Sequence, residues 1–229
     1  MKTRHLIAAL LVTAVVPAFA GLEFMTKTSD ARGTVATAKG LVDGPKAKIE
    51  FVSGRSGPGM QKGNDRLSQD GGKTIYVVNP QGQSYMKLDV DKVAATAGQF
   101  MNAAKGFMNM TVSNPKIETL SDERGPKMHG YKTRHIKKRT SYTMTTSVFG
   151  RKDVTSISRE DELWVTDDLK DTGMQVWSKQ RSVKTGHAEI DKVIEAEAAK
   201  LDGVPLKSAS VTTTKKGNGA EDVTTLTNE

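Results

Sequence analysis

The sequence predicts an α+β protein that is mainly antiparallel β, with about ten strands in one sheet and two helices packed on one side. Three observations predict it. Segments with apolar residues at every second position recur through most of the chain, and turn residues separate them. Two longer segments carry apolar residues at +3 and +4 steps instead, the spacing of a helix face. The 229-residue chain has no cysteine, so its core must come from packing and not from disulfides.

The elements follow in order. Leu22–Thr28, Gly33–Lys39 and Lys46–Val52 read as short strands, with a turn at Asp43-Gly44-Pro45. Lys73–Val78 and Gln83–Leu88 form the clearest hairpin, because Asn79-Pro80-Gln81-Gly82 places Asn, Pro and Gly where a type I turn favours them. Strands follow at Thr111–Leu120, Tyr131–Lys138, Ser141–Val148, Asp153–Ser158 and Leu163–Thr166. A last hairpin joins Ser208–Thr214 to Asp222–Leu226 through Lys216-Gly217-Asn218-Gly219. The first helix is expected from Lys92 to Asn109 with Asp91 as its N-cap, and the second from Ala188 to Leu201, stopped by Gly203 and Pro205. Residues 53–72 hold Gly54, Gly57, Pro58, Gly59, Gly63, Gly71 and Gly72 and almost nothing apolar, so they are expected to be a flexible loop.

The first twenty residues set the compartment. Lys2 and Arg4 precede an apolar run from Leu6 to Val16, and Ala18-Phe19-Ala20 gives a small-residue cleavage site. That pattern is a secretory signal peptide, cut after Ala20. The run is too short to span a bilayer, which needs about 20 apolar residues. The domain organisation is therefore a signal peptide at 1–20 and one domain at 21–229, periplasmic or secreted and not membrane-spanning. Gly21 stands where a lipoprotein would carry its lipidated cysteine. Loss of Lys2 and Arg4 lowers the formal charge from +8 to +6. Export makes nucleic acid an improbable partner for what basic surface remains.

Several pieces recur in a familiar order: Val77-Val78-Asn79-Pro80, Gly82-Gln83-Ser84-Tyr85, Gly130-Tyr131-Lys132, Leu163-Trp164-Val165-Thr166-Asp167-Asp168, and Gly203-Val204-Pro205-Leu206. In this the chain resembles a family of secreted bacterial proteins catalogued as a domain of unknown function, which in turn resembles the LolA/LolB-like periplasmic lipoprotein carriers. The resemblance implies a curved, incomplete antiparallel barrel whose two helices cover the concave face, around a hollow that takes acyl chains. It supplies no catalytic residues, and the Gly-rich 53–72 segment interrupts a region where the carriers have sheet.

Candidate sites can be weighed residue by residue. Phe100, Met101, Phe107, Met108 and Met110 make an adaptable apolar stripe, expected on or beside the first helix, that could contact a ligand or simply fill the sheet. Lys132, Arg134, Lys137, Lys138 and Arg139, with His135, form the densest basic run and could meet an anionic surface. The acidic residues Glu160, Asp161 and Glu162 could equally pair with them across neighbouring strands. His129 and His135 could share a strand face but lack a third ligand, so no metal site is expected. Gly54-Arg55-Ser56-Gly57-Pro58 misses the nucleophile elbow at its second glycine. Trp164 is expected to be a structural side chain on whichever face Leu163 and Val165 leave. No triad, metal set or acid–base pair appears, so neither catalysis nor a cofactor is expected. The expected function is non-catalytic binding of an apolar or amphipathic ligand, a lipid or an acylated protein. The alternative is an envelope protein–protein interaction or sensor domain.

Overall fold

The computed structural model describes residues 21–54, 61–104, 108–174, 188–199 and 202–229. Residues 1–20, expected to be a signal peptide, and Phe107, Trp177, His187 and Leu201 lie outside them. Among the described residues the chain order is β1 (Leu22–Asp30), β2 (Gly33–Asp43), β3 (Lys46–Gly54), β4 (Asp65–Ser68), β5 (Thr74–Asn79), β6 (Ser84–Asp89) and α1 (Val90–Ala104). There follow β7 (Met108–Arg124), β8 (Arg134–Val148), β9 (Arg151–Thr166), a 3-10 turn (Lys170–Thr172), α2 (Ala188–Ala199), β10 (Val204–Lys216) and β11 (Glu221–Asn228).

The eleven strands make one antiparallel sheet in the order β6-β5-β4-β3-β2-β1-β11-β10-β9-β8-β7. Every ladder but one joins strands that are consecutive in the chain. The exception is the seam between β1 and β11, which registers Thr28, Ser29 and Asp30 against Asn228, Thr227 and Leu226. Strands β6 and β7 lie at opposite edges, yet α1 links them. A flat sheet of this width would hold its edges about 48 Å apart, at about 4.8 Å per ladder. The 15-residue helix reaches about 22 Å, and the three residues after it add at most about 11 Å. The sheet must therefore curl, and the face that collects the buried side chains lies inside the curl.

The α+β expectation, with helices covering the concave face, is not what forms. The protein is a mainly antiparallel β sheet with two short helices at its margins: α1 makes its principal contacts with β6 and α2 with β7. Helical spacing reports that one side of a helix is apolar, not what that side meets. Val93, inside the expected stripe, is 51% exposed. Helix α1 begins directly after β6 and is capped by Asp89, whose Oδ1 accepts from the Lys92 backbone N–H at 3.1 Å. The cap is thus Asp89 and not Asp91, and the helix ends at Ala104, short of the expected Asn109.

The strands also run longer than expected. Tyr131–Lys138 and Ser141–Val148 merge into β8 from Arg134, and Asp153–Ser158 and Leu163–Thr166 merge into β9. The expected 53–72 loop contains β4, which pairs with both β3 and β5. The Asn79 hairpin forms, with Asn79 Oδ1 accepting from the Gly82 N–H at 2.9 Å. Its turn closes one residue later, from the Gln83 N–H to the Pro80 carbonyl, with Gln83 at φ 46°.

Candidate functional site: the inner face of the curled sheet

Registers carry one face across the whole sheet. One inner row runs Phe24, Gly40, Ile49, Arg66, Val77 and Met86 from β1 to β6. Another runs Ile136, Leu163, Ser208, Asn228, Thr28 and Ala36 across the seam. The first half of this face is apolar, with Ala36, Ala38, Ile49 and Phe51 as one buried cluster and Val42 with Ala47 as another. Phe24 packs against both clusters. It lies over Gly40, where an added Cβ would stand 2.1 Å from its Cζ. Only glycine lets the ring close over that strand. Met174, just after the 3-10 turn, packs against the Val42–Ala47 cluster.

Arg66 is the only cation in the Phe24–Met86 row. Its guanidinium sits 5.3 Å from the Phe51 ring centroid, and its Nε is buried without a hydrogen-bond acceptor. Burial lowers its pKa from the ordinary arginine value, and among the described residues no carboxylate counters that shift. The adjacent Asp65 belongs to the other face, where Lys48 binds it at 3.1 Å.

The second half of the inner face is more polar. Lys138 is only 6% exposed there, opposite Asp161 in the ladder. Asp161 accepts from Arg159 Nε at 2.8 Å and from the Ser210 hydroxyl. Asn228 accepts at Oδ1 from Thr28 Oγ1 at 2.8 Å and donates from Nδ2 to Ser208 Oγ at 3.3 Å, which stitches the seam. Toward the far end of β7 and β8 the same face turns apolar again, with half-buried Met108 and Met110 and buried Val112.

The expected helix-borne site is therefore divided. Met108, expected in the helix, and Met110, expected beside it, both stand on β7 on the inner face. Phe107 lies outside the described residues, as do the side chains of Phe100 and Met101. The basic run is divided as well. Lys132 is exposed in the segment before β8. Arg134 lies 3.3 Å from Asp122, Lys137 3.0 Å from Glu162, and Arg139 2.7 Å from Glu160. Lys137 and Arg139 are on the outer face and Lys138 on the inner one. The cross-strand pairing considered for these charges is the arrangement present, and it leaves no single cationic patch.

On the outer face His135 stacks on Trp164 with ring centroids 4.5 Å apart, and Lys207 covers the indole at 5.6 Å. Trp164 is thus a half-buried outer side chain, with Leu163 and Val165 buried inside. Glu162 receives both Lys137 and His135, at 3.0 and 3.2 Å. Its carboxyl is held below the usual glutamate range, first by the Lys137 hydrogen bond and then by that of His135. His129 occupies a tight turn at φ 51°, followed by Gly130 at φ 86°, so it shares no strand with His135. Among the described residues no three His, Asp or Glu side chains gather as metal ligands, and no helix is long and apolar enough to cross a membrane. A hydroxyl-lined groove of about 280 Å³ also opens on the outer face, between Ser141, Thr143, Ser156, Ser158 and Thr213.

Sequence reasoning missed Arg66 because Asp65-Arg66-Leu67-Ser68 shows no apolar alternation, and its one apolar residue, Leu67, points outward. Only the pairing with β3 and β5 reveals where the guanidinium lies. Comparison with protein-family models, with curated proteins and with solved structures finds no match.

Proposed function

We propose that this chain is a non-catalytic binding protein for an amphipathic ligand, a lipid or an acylated protein, held on the inner face of the curled sheet. A sheet with one apolar face must bury that face against another layer. The observation that carries the reading is that, among the described residues, the substantial strand contacts are with ladder neighbours, and the helices meet chiefly the two edge strands. The inner face is thus an apolar wall beside a polar one, an environment suited to a molecule with a tail and a head. The signal-peptide pattern of residues 1–20 supports the periplasm, or the medium beyond it, as the place of action.

A second reading, an envelope interaction domain, is favoured by the edge strand β6. It is short and unbulged, and Tyr85 and Met86 are 71% and 52% exposed. The opposite edge, β7, is irregular at two places, between Ser113 and Lys116 and between Thr119 and Ser121. Such irregularity protects an edge from strand addition.

Native mass spectrometry of protein isolated from a periplasmic extract separates the two. A carrier emerges with lipid-sized adducts that organic extraction removes. An interaction domain emerges as a complex with one polypeptide and without lipid. Protein that is free of lipid and also fails to take up acyl ligands from vesicles sinks the carrier reading.

A further inference from the structure

Arg66 is an anomaly in its surroundings. Its direct ladder neighbours on the inner face are Ile49 and Val77, and the row continues to Gly40 and Met86. Its Nε has no acceptor. Lys137, Arg139 and Arg159 contrast with it, each having a carboxylate within 3.0 Å; Arg134 shares the unpartnered Nε but has the Asp122 carboxylate 3.3 Å away. A half-buried guanidinium without a counter-charge costs stability. Its planar fork of donors fits two oxygens of a carboxylate or phosphate. The apolar side chains around it cannot supply those oxygens, but an acidic head bound to an apolar tail supplies both halves of the match.

We propose that Arg66 receives the acidic head of the ligand, so that the hollow takes anionic amphiphiles: one carboxylate or phosphate on an acyl chain. The inference rests on the binding reading above and narrows its ligand class. The head meets the Arg66 fork beside Phe51, and the tail lies along the apolar side chains of β1–β6. Neutral amphiphiles keep the tail contacts and lose the head contact.

The test is calorimetric titration of the signal-free chain with decanoate, decyl phosphate, decanol and inorganic phosphate. Decanoate or decyl phosphate is expected to bind about tenfold or more tightly than decanol, the margin of a charge-assisted hydrogen-bonded pair. Arg66→Met should abolish that margin and leave decanol binding unchanged, and Arg66→Lys should keep part of it. Should Arg66→Met fail to fold by circular dichroism, Arg66→Lys carries the test: a margin undiminished by the loss of the planar fork overturns the assignment. Decanol binding as tightly as both acids, or a margin that survives in Arg66→Met, removes Arg66 as the head site and leaves the hollow standing. Inorganic phosphate binding as tightly as decyl phosphate assigns Arg66 to a free anion and overturns the amphiphile. If no ten-carbon compound binds, the hollow falls, and the proposal with it.

Discussion

On the inner face, strands β1–β3 bury Ala36, Ala38, Val42, Ala47, Ile49 and Phe51, whereas β8–β10 bury Lys138, Thr140, Thr155 and Ser208 around Ile136, Leu163 and Val165. The first region is held by apolar contact and by an aromatic ring seated over a glycine. The second is held by hydrogen bonds and ion pairs within and between its long strands, on both faces of the sheet. Apolar contact is nearly indifferent to salt and pH, while ion pairs respond to both. A single sheet can therefore carry two kinds of surface. Each has its own way of failing.

The largest effect is expected in the apolar region. Phe51→Ala removes a 7%-exposed ring and should cost about 3–5 kcal/mol. Chemical denaturation should report the same loss at low and high salt. A loss that changes with salt would show that the ring acts mainly through Arg66 and not through packing. Gly40→Ala comes next, since its new Cβ would overlap Phe24. Displacing the ring should cost about 1–3 kcal/mol. The variant Phe24→Ala/Gly40→Ala should then lose less than the sum of its two single changes. Additive losses would sever the link between ring and glycine.

The smallest effect belongs to the long strands. The Glu162 carboxyl is held below the ordinary range by Lys137 and His135. Its contribution is complete above the unfolded value of about 4.3 and is lost as pH falls through the lower folded value. Glu162→Gln should cost about 0.2–1 kcal/mol near neutrality, the range of exposed pairs. The variant should also show a shallower fall in melting temperature between about pH 5 and pH 3. Parallel acid limbs for the two proteins would mean that Glu162 has no part in the acid response.

How much of this was legible in the sequence depends on where the signal lay. The Thr74–Asn79 hairpin was readable because alternating apolar residues flank a local turn. Strands β8 and β9 were read in pieces, because Lys138, Thr140, Arg159 and Asp161 occupy inward positions where alternation predicts apolar side chains. Strand β4 was hidden by the glycines around it. Helix α1 was recognised as a helix, but its placement depends on the distance between two sheet edges, which no local pattern encodes. The same limit applies to the site. Met108 and Met110 were singled out for their chemistry, but Met108 was assigned to the helix and not to β7, and Phe24 over Gly40 requires a register. Arg66 gains its significance only from neighbours brought in by two other strands.

The seam between β1 and β11 bears on how the chain assembles. Nine of the ten ladders join strands that follow one another in the chain, so each can form as soon as its two strands exist. The tenth waits for β1 and β11, which are far apart in the chain: Lys27 and Glu229 exchange backbone hydrogen bonds of 2.8 and 3.0 Å across the seam. Only there must a loop of 200 residues, from Thr28 to Asn228, be gathered before a contact repays the entropy. Assembly then resembles closing a clasp between two ribbons that were woven separately. The arrival of β11 beside β1 decides when the sheet becomes one object.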